Sequence, residues 1–552
     1  ERPLRSQGRR LLVTTLASNV NPITCPGLSS GVEDMMTPSI DHALRPARRG
    51  ALAAIGLALL AAGCTWGAAS KPSDSAAFAS VDCPAEVRTS TTRETKCGYL
   101  MVPENRSDPT GRQIRLFVFR MEPDFPTTAA PVVYVGDDLG SSFDYRATGF
   151  MADHLDGPEV IGLEARGTGY SEPNLSCPEV EGIAPETLRK PIDDPHLRSA
   201  FVGAVTACHD RLVGQGIDLS SFGVDESGQD VVDLAAALGL SRWDVISKGS
   251  TSRIVFQAMR ADPAGLRSVV LSDTPEFPDT DTDADAMQST RASFAELVHL
   301  CRADRACARR FPRLASSFDL AIERFDQRPA TVRISGAQIR VDGARLVRDL
   351  RNLFAGLNTI SVVNHLPATI DALANAKDPV SSLRAVVAPE ITAPTFCTGY
   401  LPVCTGLMSQ GAYYSALCRD IAPFANSGAP QRSTEDSAAW TSTFVNGPYQ
   451  DVCGAWDVTP ADASTMAPVS SSVPVLVFVG GLDPFGPTDL REEMAGLPNA
   501  FLLDLAVRSH PVASLPPCPD DNPRNEFLAH PTRMPKAPCG KRFIPTFSMS
   551  PL

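Results

Sequence analysis

Residues able to do chemistry sit at three places in this chain. The run Trp243-Asp-Val-Ile-Ser-Lys-Gly-Ser-Thr-Ser-Arg-Ile-Val-Phe256 is a short apolar stretch, then small residues, then a pattern of helical period ending near Asp262-Pro263. The apolar run Val473–Val479 leads into Gly-Gly-Leu-Asp483-Pro-Phe-Gly-Pro487, which puts a carboxylate at a strand end. His510 follows beyond one helix and one strand, in Val507-Arg-Ser-His510-Pro-Val. A hydroxyl becomes a nucleophile when an imidazole accepts its proton and a carboxylate orients that imidazole. Strand, turn and helix, then acid, then histidine is an order compatible with that chemistry. Singly, Asp483 reads as well as a turn residue and His510 as a surface residue. Together, after such a turn, they point to nucleophilic catalysis or to ancestry in it. The tip of the turn, however, is Gly249, which has no side chain to acylate; Ser250 and Ser247 are the neighbouring hydroxyls.

Hydrophobic period gives the elements that must position these residues. Ile114–Met121, Pro131–Val135, Val160–Leu163 and Ser268–Asp273 read as strands, the short ones continuously apolar, as in a parallel sheet buried on both faces. Leu197–Leu212 and Ser227–Leu238 have helical spacing. The alternation predicts an α/β fold, a mostly parallel sheet flanked by helices. From about Pro275 to Ser470 helical segments dominate, among them Ala292–Leu300, Ala315–Phe325 and Gly343–Leu357, before strands return at Val473 and at Ala500–Asp504. A sheet interrupted and then resumed implies a large helical cap inserted before the last strands. The expected division is an upstream extension (1–34), a signal peptide (35–64), a linker (65–80), a first core part (81–275), the cap (276–470) and a C-terminal core part (471–552).

Arg45, Arg48 and Arg49 precede an apolar run from Ala51 to Gly63, shorter than the roughly 20 residues of a spanning helix. Leu-Ala-Ala-Gly-Cys64 resembles a bacterial lipobox, so Cys64 is expected to carry a lipid; an ordinary cleaved signal is the other reading, and Met35 or Met36 is a natural start. Fourteen cysteines favour an oxidising compartment. The expected location is therefore extracytoplasmic, secreted or lipid-anchored at the bacterial cell envelope. A net charge of −13 disfavours nucleic acid and anionic membrane surfaces, leaving membrane contact to the lipid anchor alone. Irregular cysteine spacing and only 8 histidines give no metal-ligand pattern, and nothing calls for a cofactor. The expected partner is a peptide or a small molecule.

An ordered set of motifs extends this reading. Cys97-Gly-x-Leu-x-Val-Pro103, Arg166-Gly-Thr-Gly169-x-Ser-x-Pro173 with Cys177 soon after, Asp230-Val-Val-Asp-Leu before Ala237-Leu-Gly239, Cys301-Arg-Ala-Asp-Arg-Ala-Cys307, Cys418-Arg-Asp420, Cys453-Gly-Ala-Trp456, Asp483-Pro484 and His510 occur in that order. The chain resembles bacterial secreted α/β-hydrolases of the tripeptidyl and prolyl aminopeptidase-like family, including their C-terminal domain, from Cys97 to Cys539. The resemblance implies a serine peptidase type of hydrolase, with Asp483 and His510 in the catalytic set. It also implies disulfides between neighbours: Cys83 with Cys97, Cys177 with Cys208, Cys301 with Cys307, Cys397 with Cys404, Cys418 with Cys453, and Cys518 with Cys539. Asp420 is the residue that would pair with a peptide's free amino terminus; a solvated charge is the plainer reading.

Departures from the family pattern cluster at the expected active site. Family members carry Gly-Gly-Pro-Gly after the third strand, where backbone amides help form an oxyanion hole. This chain has Asp137-Asp138-Leu139-Gly140, and carboxylates there oppose a developing negative charge. The Asp that usually precedes Arg-Gly-x-Gly is Glu164. Gly249 takes the nucleophile's place without a gap in the flanking strand and helix, and loss of that serine lowers turnover by roughly a millionfold in a comparable enzyme. Ser250 occupies the position that normally supplies the second oxyanion amide. Two readings follow. In one, hydrolysis is lost or strongly reduced and the fold binds a ligand; in the other, Ser250 is a displaced nucleophile served by His510 and Asp483.

Overall fold

The computed structural model describes residues 78–191, 194–261, 265–272, 276, 282–354, 359–388, 395–397, 404–425, 440, 443, 447–485, 490, 494–505, 522–536 and 545–552. Cys25, Cys64, His510, Cys518 and Cys539 lie outside the described residues.

Nine strands form one sheet: β1 (Phe78–Val81), β2 (Thr95–Pro103), β3 (Gln113–Met121), β4 (Val132–Tyr134), β5 (Val160–Leu163), β6 (Trp243–Lys248), β7 (Leu266–Ser272), β12 (Val475–Gly480) and β13 (Ala500–Leu505). Two hairpins, β8 (Ala330–Ile334) with β9 (Ala337–Val341) and β10 (Thr395–Cys397) with β11 (Cys404–Gly406), stand apart from it. The sheet order is β1-β2-β3-β5-β4-β6-β7-β12-β13. Pairing is antiparallel from β1 through β3 to β5 and parallel from β5 to β13. Crossing of β4 and β5, followed by strands added in sequence order, is the α/β-hydrolase arrangement.

The apolar runs have the expected cause. Along the parallel strands successive side chains enter different cores: Val133, Val245, Val269 and Val477 one, and Tyr134, Ile246, Val270 and Phe478 the other. Helices α1 (Tyr145–Asp153), α2 (Pro195–Gly214), α3 (Val224–Ala237) and α4 (Ser252–Ala261) alternate with the strands. Phe201, Leu234 and Phe256 from α2, α3 and α4 join the first core, while Met151 from α1 and Phe527 join the second. Each such side chain taken fully from water contributes about 2 kcal/mol. Asp144 and Asp194 cap α1 and α2 by accepting from the second and third amides beyond them.

Between β7 and β12 the chain builds a third core of its own. Leu297 of α5 (Thr282–Ala303), Ile322 of α6 (Leu314–Gln327), Leu350 of α7 (Gly343–Phe354) and Leu366 of α8 (Thr359–Asn375) are its centre. The hairpin β8–β9 adds Val332, Ile339 and Val341. It turns through Ser335 and Gly336, both at positive φ, as a two-residue hairpin turn needs. This hairpin was not expected in a segment read as helical. At the other end, residues 78–80, read as linker, belong to β1. Val81 lies opposite Cys97, and the adjoining Cys83 is bonded to Cys97, which holds the short edge strand in register.

Cys83–Cys97, Cys177–Cys208, Cys301–Cys307 and Cys418–Cys453 are disulfides. Backbone pairing sets Cys397 opposite Cys404. Such bonds persist in oxidising, extracytoplasmic surroundings. Among the described residues no helix is long and apolar enough to cross a membrane.

Candidate functional site

Parallel alignment brings the ends of β4, β5, β6 and β12 to one edge of the sheet, so Asp137, Glu164, Gly249 and Asp483 all follow strands at that edge. Gly249–Thr251 make a single tight turn between β6 and α4. Gly249 has φ 54°, in the left-handed region that side chains disfavour. β4 pairs with β6, so the loop after β4 faces this turn.

The two departures seen in the sequence meet here. A Cβ on Gly249 would stand 2.6 Å from the Asp137 carbonyl oxygen and closer still to Asp138 Oδ1. The Asp138 carboxylate thus fills the space a nucleophile would need. Its Oδ1 accepts the Ser250 amide at 3.3 Å and the Ser250 hydroxyl at 3.2 Å. Ser250 Oγ in turn accepts the Leu139 amide at 2.9 Å. Two amides of the region that the resemblance assigns to an oxyanion hole, those of Leu139 and Ser250, therefore already hold internal acceptors. The start of α4 favours a carboxylate for the same reason it would favour an oxyanion, since the exposed amides of a helix start carry partial positive charge.

The remaining groups of the turn are committed. Lys248 Nζ pairs with Asp137 Oδ2 at 3.2 Å, and Tyr134 donates its hydroxyl proton to Asp137 Oδ1. Ser247 is fully buried, its hydroxyl 3.0 Å from Thr251 Oγ1, and Thr251 donates onward to the Gly136 and Lys248 carbonyls. Gly140 is tied to its residue type: at φ 79° a Cβ there would lie 2.8 Å from the Tyr413 amide.

Asp483 follows β12 and is almost buried; its Oδ1 accepts the Phe485 amide at 3.1 Å, so it also shapes the turn it sits on. Its expected partner His510 lies outside the described residues. Asp420 is fully buried, and its Oδ2 accepts the Val224 amide at 2.9 Å. α3 starts after Gly223, which has no capping side chain, so Asp420 serves as its cap from another part of the chain. Burial pushes the Asp420 carboxyl up to about 7. In this place it anchors the start of α3 rather than standing in solvent.

The Arg166-Gly-Thr-Gly169 motif is structural. Arg166 is buried, grips Asp230 with two bonds of 2.8 and 2.7 Å, and donates to the Glu104 and Ser221 carbonyls. Arg106 reaches the same Asp230 at 2.6 Å. Glu164, ahead of the motif, is buried and accepts from the Tyr145 hydroxyl (2.6 Å) and Thr168 Oγ1 (3.1 Å); burial pushes its carboxyl up to about 7. Cys177, Glu179 and Cys208 also lie close together, but the disulfide removes both thiolates and Arg211 binds Glu179.

Sequence reasoning treated the carboxylates after β4 and the glycine after β6 as separate losses. Their contact through Asp138 and Ser250 was missed, and its only trace is that one turn gained a side chain where the facing turn lost one.

No protein-family model matches the sequence, and no curated protein matches it. Among solved structures, a haloalkane dehalogenase from Bradyrhizobium elkani is 12% identical, with 79% of this chain and 98% of that chain covered and a TM-score of 0.35. A proline iminopeptidase from Mycobacterium smegmatis is 12% identical, with 78% and 95% covered and a TM-score of 0.33. A thermophilic esterase from Thermogutta terrifontis is likewise 12% identical, with 78% and 95% covered and a TM-score of 0.32. Strand order, not these likenesses, carries the α/β-hydrolase fold.

Proposed function

We propose that this is an extracytoplasmic protein of the tripeptidyl and prolyl aminopeptidase-like type, secreted or held by a lipid on Cys64, in which serine hydrolysis has been lost and ligand binding remains. Its ligand is a peptide or a small molecule. One observation supports this most: the Asp138 carboxylate lies against Gly249, where a nucleophile would stand, and takes the Ser250 amide. An acylation site needs a nucleophile and free donors for the oxyanion. Here the expected position carries no side chain, and the Leu139 and Ser250 amides are engaged. The reading in which Ser250 is a displaced nucleophile has its own support, because the Ser250 hydroxyl points its proton at a carboxylate.

A fluorophosphonate probe distinguishes the two. Wild-type protein is expected to remain unlabelled, and so is Gly249→Ser alone, because the Asp138 carboxylate lies where the new side chain would stand. Gly249→Ser combined with Asp138→Gly is expected to gain labelling. Wild-type labelling that disappears in Ser250→Ala would overturn the proposal and establish the displaced nucleophile.

A further inference from the structure

The segment between β7 and β12 contains a cavity of about 780 Å³ between α5 and α6, whose described lining includes no residue of the turns at Asp138, Gly249 or Asp483. The space is half open to solvent, a cleft rather than an interior void. It falls in the range of small-molecule sites.

Its walls are aromatic and aliphatic. Phe294 and Phe318 stack at 3.8 Å, and Trp440 stands edge-on to Phe318 at 5.7 Å. Leu297 and Ile322 form the buried floor. The charged lining residues are exposed and balanced, Arg291 and Arg302 against Asp319 and Glu323. Arg291 lies over the Trp440 ring at 4.6 Å. Desolvation pushes the Asp319 carboxyl up against the opposing pull of Arg291. Ala295 and Ala315, one on each helix, are exposed small residues in the lining, so no bulky side chain closes the space from those positions.

We infer that this cavity is a second ligand site, for an uncharged, mostly apolar small molecule with a flat aromatic or branched body. Balanced charge at the mouth gives no net attraction to either sign, and a charged ligand would lose its hydration against apolar walls. Aromatic faces supply offset and edge contacts to a flat body. The inference does not rest on the loss of catalysis, because the two sites share no described residue.

Titration with the neutral probe N-phenyl-1-naphthylamine tests it, with full-length protein and fluorescence as the readout. Saturable binding of about one probe per chain is expected. Ala315→Trp and Ala295→Trp fill the space from exposed positions and should each weaken binding at least about tenfold while the melting temperature holds. Leu320→Trp adds the same ring on α6 outside the lining and should leave binding unchanged. Absence of saturable binding, or equal binding in the filled variants, would overturn the site. Tighter binding of the anionic probe 8-anilinonaphthalene-1-sulfonate than of the neutral one would overturn the assigned ligand class.

Discussion

Two turns at the same edge of the sheet use one device for different ends. After β5, Gly169 sits at φ 49°, where a Cβ would come within 2.5 Å of Glu164 Oε2. After β6, Gly249 sits at φ 54°, where a Cβ would collide with Asp138. In both, a left-handed glycine makes room for a carboxylate from a neighbouring stretch. Their surroundings differ. Glu164 is buried, held by Tyr145 and Thr168, and cannot move aside. Asp138 is exposed and reaches the turn by its own side chain. The first glycine belongs to the framework, and the second stands where chemistry would occur.

The sharpest way to break the parallel is to add a methyl group to each glycine. Gly169→Ala is expected to cost ~3 kcal/mol or more, because strained backbone and a trapped carboxylate act together. Gly249→Ala should cost less, ~2 kcal/mol, since the Asp138 side chain can yield while the left-handed backbone and the close Asp137 carbonyl oxygen remain. Urea unfolding of both variants measures the gap, and equal losses would dissolve the distinction.

A second effect concerns protons. Burial raises the carboxyls of Glu164 and Asp420 to about 7 from ordinary values of 4.5 and 3.8. Between those limits the folded state binds more protons than the unfolded one, so stability falls as pH rises through the window. Carboxyls held low by their partners, such as Glu179, lose their contribution only below the usual carboxylate range and do not enter it. The melting temperature should therefore drop from pH 5 to pH 8, and Glu164→Gln should flatten that drop. A rise over this range would contradict the assignment. Asp138→Ala should be the mildest change, ~1 kcal/mol by urea unfolding, as for loss of an acceptor at a helix start.

Much of the framework was legible in the chain. The continuous runs at Val132 and Val160 could be read because parallel strands buried on both faces leave no polar positions. Arg166 and Asp230 stood out as motif residues before their bidentate pairing was known. The β8–β9 hairpin escaped notice because its alternation is short and interrupted by arginines that face outward. At the site, Asp137 and Asp138 were read as harmful to an oxyanion, which is a statement about charge. That Asp138 would occupy the hole depends on β4 lying beside β6, a neighbour relation that residue spacing does not carry. That Asp420 is buried and not a solvated charge was hidden for a similar reason: the helix start it caps lies far away in sequence.

The loop that carries Asp138 is also clasped from outside. Ser142 donates to the Leu407 carbonyl at 2.8 Å, Ser409 donates to the Gly140 carbonyl at 2.7 Å, and the Ser409 hydroxyl bonds the Gly167 carbonyl at 2.8 Å. With its backbone zipped to a second segment, the loop has one cheap degree of freedom left, the χ rotation of Asp138. Departure of the carboxylate from the Ser250 amide therefore calls for a side-chain rotation that gives up its bonds to Ser250 rather than for a loop opening. An anion arriving at the start of α4 would have to displace a carboxylate already bound there, but would not have to wait for a gate.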